Sequence, residues 1–233
     1  MNTPSSSGTT DHPQGSPGAR PGKRGKMPGN LWSEFGEEFR NLRTRVAAML
    51  DERHKIVLVT SALPQEGKTT VAATLSRSFA QMEWGTLLID SDMRKPRLHQ
   101  LFGIERAPGL TDLLQGRVGD EEAVAATDHP HLDVLPAGSS TQGPAELLQA
   151  EVTPKLLRGL AARYDYVVID APPLISITDT HLLSDYVDGI IFVINGLVTP
   201  RDVVQEAREQ LQGRPVLGVV LNGISTPKKY YYY

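Results

Sequence analysis

The chain contains no cysteine, so disulfides, thiolate-bound zinc and thiol catalysis are excluded from the start. Aromatic residues are scarce, at 6%, and unevenly placed: four of the seven tyrosines are the last four residues. Long apolar runs are missing as well. Nothing approaches the roughly 18 consecutive apolar residues that span a bilayer, and the longest runs, such as 190–194, have the length of a buried strand. The N-terminus carries neither a charged-then-apolar leader nor the glycine that myristoylation needs after Met1. A role at a membrane would therefore need a separate anchor. A large charge of either sign is absent too: a net charge of −3 gives no electrostatic reason to expect nucleic acid or an anionic membrane as a partner. The rest is an ordinary globular balance, 39% apolar and 22% charged over 233 residues. That is enough chain for one α/β domain with a sizeable core.

Composition divides the chain. Residues 1–30 are rich in Ser, Gly and Pro, with Arg20, Lys23, Arg24 and Lys26 near their end. So few apolar side chains predict a disordered, solvated tail. From Leu31 the pattern changes. Leu31, Phe35, Phe39, Leu42, Val46 and Met49 recur at helical spacing, which predicts an amphipathic helix ending near Asp51. Beyond it, apolar strand-length segments at 56–60, 86–90, 132–135, 166–170, 190–194 and 216–221 alternate with helical stretches at 68–82, 145–162 and 200–212. Short helices are expected in 96–128. Continuous Val/Ile/Leu strands separated by helices predict a mostly parallel sheet covered on both faces. The expected divisions are a tail over 1–30, a globular domain over 31–224 and a flexible tyrosine-rich tail over 225–233.

The first strand runs into Ala62-Leu-Pro64-Gln65-Glu66-Gly67-Lys68-Thr69, then Thr70 and a helical pattern. This is G-x-x-x-x-G-K-[ST] with Ala62 in place of the first Gly, and it sits in the strand–loop–helix context that the motif requires. Backbone N–H groups of Gln65 to Thr70, in the loop that begins at Pro64, and the helix dipole favour a phosphate group there. Lys68 is placed to reach the β- and γ-phosphates of ATP, and the Thr69 hydroxyl to bind Mg²⁺. The fold implied is that of P-loop NTPases.

Two further strands end in carboxylates: Leu87-Leu-Ile-Asp90-Ser-Asp92 and Val167-Val-Ile-Asp170-Ala-Pro172-Pro173. Ligands of parallel α/β sheets bind at the carboxyl ends of the strands, so all three aspartates are expected beside the phosphate loop. Asp90 and Asp92 fall on one side if the backbone stays extended. Mg²⁺ takes one or two carboxylates plus phosphate oxygens and water, which suits Asp92 and Asp170. Asp90 is then the group that orients an attacking hydroxyl. As a base it is poorly matched to tyrosine, since the transfer is uphill by about six pK units, roughly 8 kcal/mol. A helix cap is the alternative for a lone Asp after a strand. Asn222, ending the last strand, can pair with an adenine edge or serve the turn that Asn-Gly signals.

The terminal Tyr230, Tyr231, Tyr232 and Tyr233 follow Pro227-Lys-Lys. A core does not need a terminal Tyr run and an exposed one is costly in solubility; an aromatic binding patch is the alternative, and a phosphoacceptor cluster accounts for the run better. Four phosphates would add roughly −6 to −8 of charge, enough to drive an interface apart. The tail lies 8 to 11 residues beyond Asn222, a reach of roughly 26–40 Å when extended, so a neighbouring subunit is within range.

Taken together, the phosphate loop, the two-aspartate motif continuing as Arg94-Lys-Pro96, Asp170-Ala-Pro172-Pro173, Gly143-Pro-Ala-Glu-Leu-Leu148 and the Tyr tail resemble the bacterial tyrosine kinases of capsule and exopolysaccharide synthesis. The resemblance runs from about Glu34 to Tyr233. It departs from the family at Ala62 and at Gly143, where Asn is frequent. It implies an ATP- and Mg²⁺-dependent autokinase with Lys68, Asp90, Asp92 and Asp170 in the site, acting in trans within a ring-shaped homo-oligomer (an octamer). Glu37, Arg40 and Arg43 are spaced like that family's subunit-contact motif; a solvated charged face is the alternative. Also implied are a separate transmembrane activator that recruits the cytoplasmic kinase to the inner face of the plasma membrane, and a cognate phosphotyrosine phosphatase. The competing class is the P-loop ATPase switch of chromosome partitioning and division-site placement. Many of its members carry a second lysine early in the loop, which is missing here. An ATP-binding regulator without catalysis is a third class, opposed by the intact Lys68, Thr69 and three aspartates.

Overall fold

In the computed structural model the structure describes residues 20–25, 36–51, 55–175 and 178–224. Eight strands form one sheet in the order β1-β4-β5-β3-β6-β2-β7-β8. They are β1 (Arg20–Gly25), β2 (Ile56–Ser61), β3 (Thr86–Asp90), β4 (Ala125–Thr127), β5 (Leu132–Leu135), β6 (Tyr166–Asp170), β7 (Gly189–Asn195) and β8 (Val216–Asn222). All neighbours are parallel except β4 and β5. The expected mostly parallel sheet is thus the observed one, with each predicted strand placed within a residue or so.

Side chains alternate across the sheet and divide the core. Leu58, Leu87, Ile89, Val167 and Phe192 face one way, under helices α4 (Leu110–Leu114), α6 (Pro144–Gln149), α7 (Val152–Ala161) and α9 (Arg201–Gln210). Val57, Val59, Leu88, Val168 and Val193 face the other way, against α2 (Lys68–Ala80) and, through Val46, α1 (Gly36–Met49). The remaining helices are α3 (Leu98–Phe102), α5 (Asp120–Ala123) and α8 (Asp179–Ser184). No helix among the described residues is long and apolar enough to cross a membrane.

The structure differs from the sequence reading in three places. The helix expected over 145–162 is two helices, because Ala150 is extended (ψ 145°). Pro154 explains the break: in one continuous helix it would sit in the interior and clash with the preceding turn, whereas in α7 it occupies the first turn, where its missing N–H costs nothing. Arg20–Gly25, within the segment expected to lack structure, pairs with β4 at the sheet edge. Third, the stripe of Glu37, Arg40 and Arg43 splits. Glu37 and Arg40 are exposed, but Arg43 is half-buried and donates from Nη1 to the Ser78 carbonyl at 3.0 Å. Leu31 and Phe35 of the predicted helix lie outside the described residues.

Candidate active site

The strand order β3-β6-β2-β7-β8 brings five chain segments to one sheet edge. Asp90 and Asp170 are register partners on β3 and β6. The phosphate loop leaves β2, and Asn195 pairs in register with Asn222 across β7 and β8. The loop turns into α2 at Gly67, which has φ 94° in the left-handed region. A Cβ there would lie 2.0 Å from Asn222 Nδ2, so both conformation and space demand glycine. Asn222 in turn donates from Nδ2 to the Glu66 carbonyl at 2.9 Å. The two sequence readings for Asn222, an adenine contact or a turn residue, do not include this contact with the phosphate loop.

Lys68 is the positive centre. Its Nζ lies 3.3 Å from Asp92 Oδ2 and 3.8 Å from Asp170 Oδ1. Asp170 is 1% exposed. Burial pushes its carboxyl above the usual carboxylate range, against the opposing pull of Lys68 and the Thr69 hydroxyl. Its Oδ1 has no hydrogen-bond donor. Asp92 accepts from the Lys95 N–H through Oδ1 and, alone among the three aspartates, lines the cleft. That cleft, of about 380 Å³, runs between Pro64–Thr70 and the segment 92–97.

Asp90 departs from its expected place. The backbone does not stay extended after β3: the Met93 N–H turns back to the Ser91 carbonyl, and Asp90 and Asp92 diverge. Asp90 is fully buried. Its Oδ2 accepts from the N–H groups of Arg97 (3.0 Å) and Leu98 (2.9 Å), and its Oδ1 from that of Asp92 (3.2 Å). This is the helix-cap alternative, at the start of α3. Burial, then the nearby Asp170, raise its carboxyl. In this conformation it holds the 92–98 segment and does not meet a hydroxyl in the cleft.

Two features escaped the sequence reading. Glu66, expected to offer only its backbone to phosphate, is 2% exposed. Its Oε2 accepts from the Leu63 N–H at 2.5 Å, and its Oε1 from the Asn195 N–H at 3.2 Å and from the Thr199 hydroxyl. The phosphate loop is thereby latched to the chain after β7. Arg94 forms a bidentate pair with the buried Asp179 of α8, at 3.1 and 3.3 Å, which ties the segment after β3 to the one after β6. Neither partner, Thr199 or Asp179, stands in a recognisable motif, so no local signal could have found them. Glu66→Ala strands the Asn195 and Leu63 donors; it is expected to cost about 2 kcal/mol of stability and to weaken nucleotide affinity about tenfold. Titration with a fluorescent ATP analogue checks this, and unchanged affinity would show the latch to be idle.

Two buried carboxylates, Asp92 and Asp170, face one ammonium here, and one carboxylate oxygen lacks a donor. That surplus of negative charge suits a divalent cation. Among the described residues no three His, Cys, Asp or Glu side chains converge on a metal position, as expected for a Mg²⁺ that relies on a hydroxyl, water and substrate phosphate. Thr69, Asp92 and Asp170 are the residues that would hold it. Tyr230 to Tyr233 lie outside the described residues.

Comparison with known proteins agrees with this geometry. The AAA domain family model matches residues 54–197. Tyrosine-protein kinase YwqD of Bacillus subtilis is 39% identical over 84% of this chain and 85% of its own length. A putative tyrosine-protein kinase in the cps region of Klebsiella pneumoniae is 33% identical over 81% of this chain, which spans only 26% of that longer relative. The kinase domain of the Escherichia coli tyrosine kinase ETK superposes with a TM-score of 0.79 over 90% of this chain and 87% of its own, at 28% identity. The septum site-determining protein MinD from Pyrococcus horikoshii, complexed with Mg-ADP, reaches a TM-score of 0.60 over 72% of this chain and 70% of its own. At 24% identity it shows the shared fold alone. The chain therefore belongs to the bacterial tyrosine-protein kinases, within the AAA domain family.

Proposed function

We propose that the chain transfers the γ-phosphoryl group of ATP to its own Tyr230, Tyr231, Tyr232 and Tyr233, in trans within a ring-shaped oligomer, and that this cycle regulates capsular or exopolysaccharide synthesis and export. The observation that carries the reading is the cleft itself. Lys68, Asp92 and Asp170 meet at the phosphate loop, in a kinase-family chain whose sequence ends on four tyrosines.

The chemistry asked of the protein is positioning and charge stabilisation. The tyrosyl oxygen bonds to the γ-phosphorus, the bond from that phosphorus to the β,γ-bridging oxygen breaks, and the phenolic proton leaves late. Backbone N–H groups at the start of α2 and the Lys68 ammonium hold the phosphates. Thr69, Asp92 and Asp170 would hold Mg²⁺, which when bound would supply neutralisation of the phosphate charge. Asp92, on the cleft wall, is the carboxylate placed to meet the acceptor hydroxyl. Asp90 acts one step removed by fixing the segment that carries Asp92.

Glu37 and Arg40, exposed on α1, support a subunit contact in the ring. The cps-region relative, in which the matching part is about a quarter of a longer chain, supports a separate partner for this shorter one. That partner is a transmembrane activator drawing the kinase to the inner face of the plasma membrane, opposed by a phosphotyrosine phosphatase.

The test is phosphotyrosine formation on purified chain with Mg-ATP and the activator's cytoplasmic segment, compared with a variant ending at Lys229. Label on the full chain, absent from the shortened one, is expected. ATP hydrolysis with no phosphotyrosine in either would instead favour the ATPase-switch reading.

A further inference from the structure

The mouth of the cleft is basic on one side only. Arg94, Lys95 and Arg97 line it together with Asp92. Arg94 is committed to Asp179, but Lys95 and Arg97 are exposed and no acidic side chain within salt-bridge distance is assigned to either among the described residues. Their backbone is not free to drift: the Lys95 N–H is bound by Asp92 and the Arg97 N–H by Asp90. Two buried carboxylates thus hold a rigid segment that presents two uncompensated cations. These cations belong to the β3 side of the site, whereas the phosphate loop belongs to β2, with β6 between. Lys95 and Arg97 stand on the cleft wall facing the phosphate loop, where Lys68 and the α2 N-terminus are the groups that serve the nucleotide phosphates.

We propose that Lys95 and Arg97 form a phosphotyrosine subsite, which retains a tail already carrying one phosphate while a second tyrosine of the cluster is modified. The proposal rests on the reading of Tyr230, Tyr231, Tyr232 and Tyr233 as acceptors. Alternate side chains of an extended segment lie on one side, about 6.8 Å apart. The phosphate is therefore read two residues from the acceptor, within reach of two long side chains. Charge sets the limit of the device. Two cations match one phosphotyrosine of about −1.5 to −2, whereas four add roughly −6 to −8. A singly modified tail is held, and a fully modified one is released.

The experiment measures anisotropy of labelled heptapeptides with the sequence of residues 227–233, binding to the full chain loaded with Mg-ADP. The peptides are unmodified, phosphorylated at Tyr231 alone, or phosphorylated at all four tyrosines. The singly modified peptide is expected to bind about tenfold tighter than the unmodified one, through charge-assisted contacts, and the fully modified one less tightly than the single. Lys95→Ala with Arg97→Ala should remove the gain and leave the affinity for a fluorescent ADP within about twofold, while Lys95→Arg should keep it. Equal binding of the first two peptides overturns the proposal. So does a gain that survives in the double variant, or an ADP affinity that falls as far as the peptide's. Because the assay reads binding, it stands apart from the phosphotyrosine test above: a chain that makes no phosphotyrosine but shows the gain fails the first reading only.

Discussion

Lys68→Met is expected to abolish phosphotyrosine formation, lowering the rate by about 10³-fold or more, as loss of a preorganised charge in a water-poor site does. The nucleotide still meets the backbone of the loop, so the loss falls on transfer more than on binding. Stability changes too. The lysine stands between Asp92 at 3.3 Å and Asp170 at 3.8 Å, and removing one partner of a buried ion pair costs on the order of 3–5 kcal/mol. That cost can be relieved by protonating a carboxylate that burial already raises. The variant should therefore approach wild-type thermal stability near pH 5 and fall below it at pH 8. Anti-phosphotyrosine labelling with Mg-ATP, beside melting curves at both pH values, reads the two effects separately. Normal labelling of the variant would remove Lys68 from the phosphate site.

Asp170→Asn should move activity and stability in opposite directions. Asp170 and Asp90 both have carboxyls raised in the fold, chiefly by burial. The native state then binds more protons than the unfolded state, so their contribution to stability is complete below the ordinary value of about 4 and is lost as pH rises through the raised values. The nucleotide-free chain carries that penalty at pH 8. An amide at 170 removes one charge from the cluster, keeps the shape and leaves Lys68 paired with Asp92. The melting temperature without nucleotide should rise by a few degrees at pH 8, about 1 kcal/mol for a domain of this size, and by less at pH 5. Phosphotyrosine formation should fall by about 10²-fold or more. The extra stability that Mg-ATP confers on the wild type should shrink with it. A variant that melts lower at pH 8 would mean that Asp170 is neutralised by partners better than Lys68 and Thr69.

The strands and the phosphate loop were legible because each depends on neighbours in sequence. A buried parallel strand needs continuous Val, Ile and Leu, and an anion site at a helix start needs Gly67-Lys-Thr in one piece. The fate of Asp90 was not legible. Whether the backbone turns at Ser91 decides between a cap and a cleft-facing carboxylate, and that turn is set by where α3 packs. Pro154 was in plain view, but its meaning as a first-turn residue required the break at Ala150. Glu66 and Arg94 were visible as residues, while their partners Thr199 and Asp179 lie 133 and 85 positions away. The inward turn of Arg43 likewise depends on the carbonyl of Ser78 on a second helix.

The latch at Glu66 bears on where this protein can be cut. The AAA domain match ends at residue 197, two positions short of Thr199 and well before Asn222. A fragment trimmed to that boundary keeps every residue of the phosphate-loop signature. It nevertheless discards the hydroxyl that seats the Glu66 carboxylate and the amide that seats the Glu66 carbonyl. It also bares the flank of β7 that β8 covers. The smallest piece able to grip a nucleotide as the whole chain does is therefore longer than the recognisable signature, and its C-terminal limit is set by Asn222.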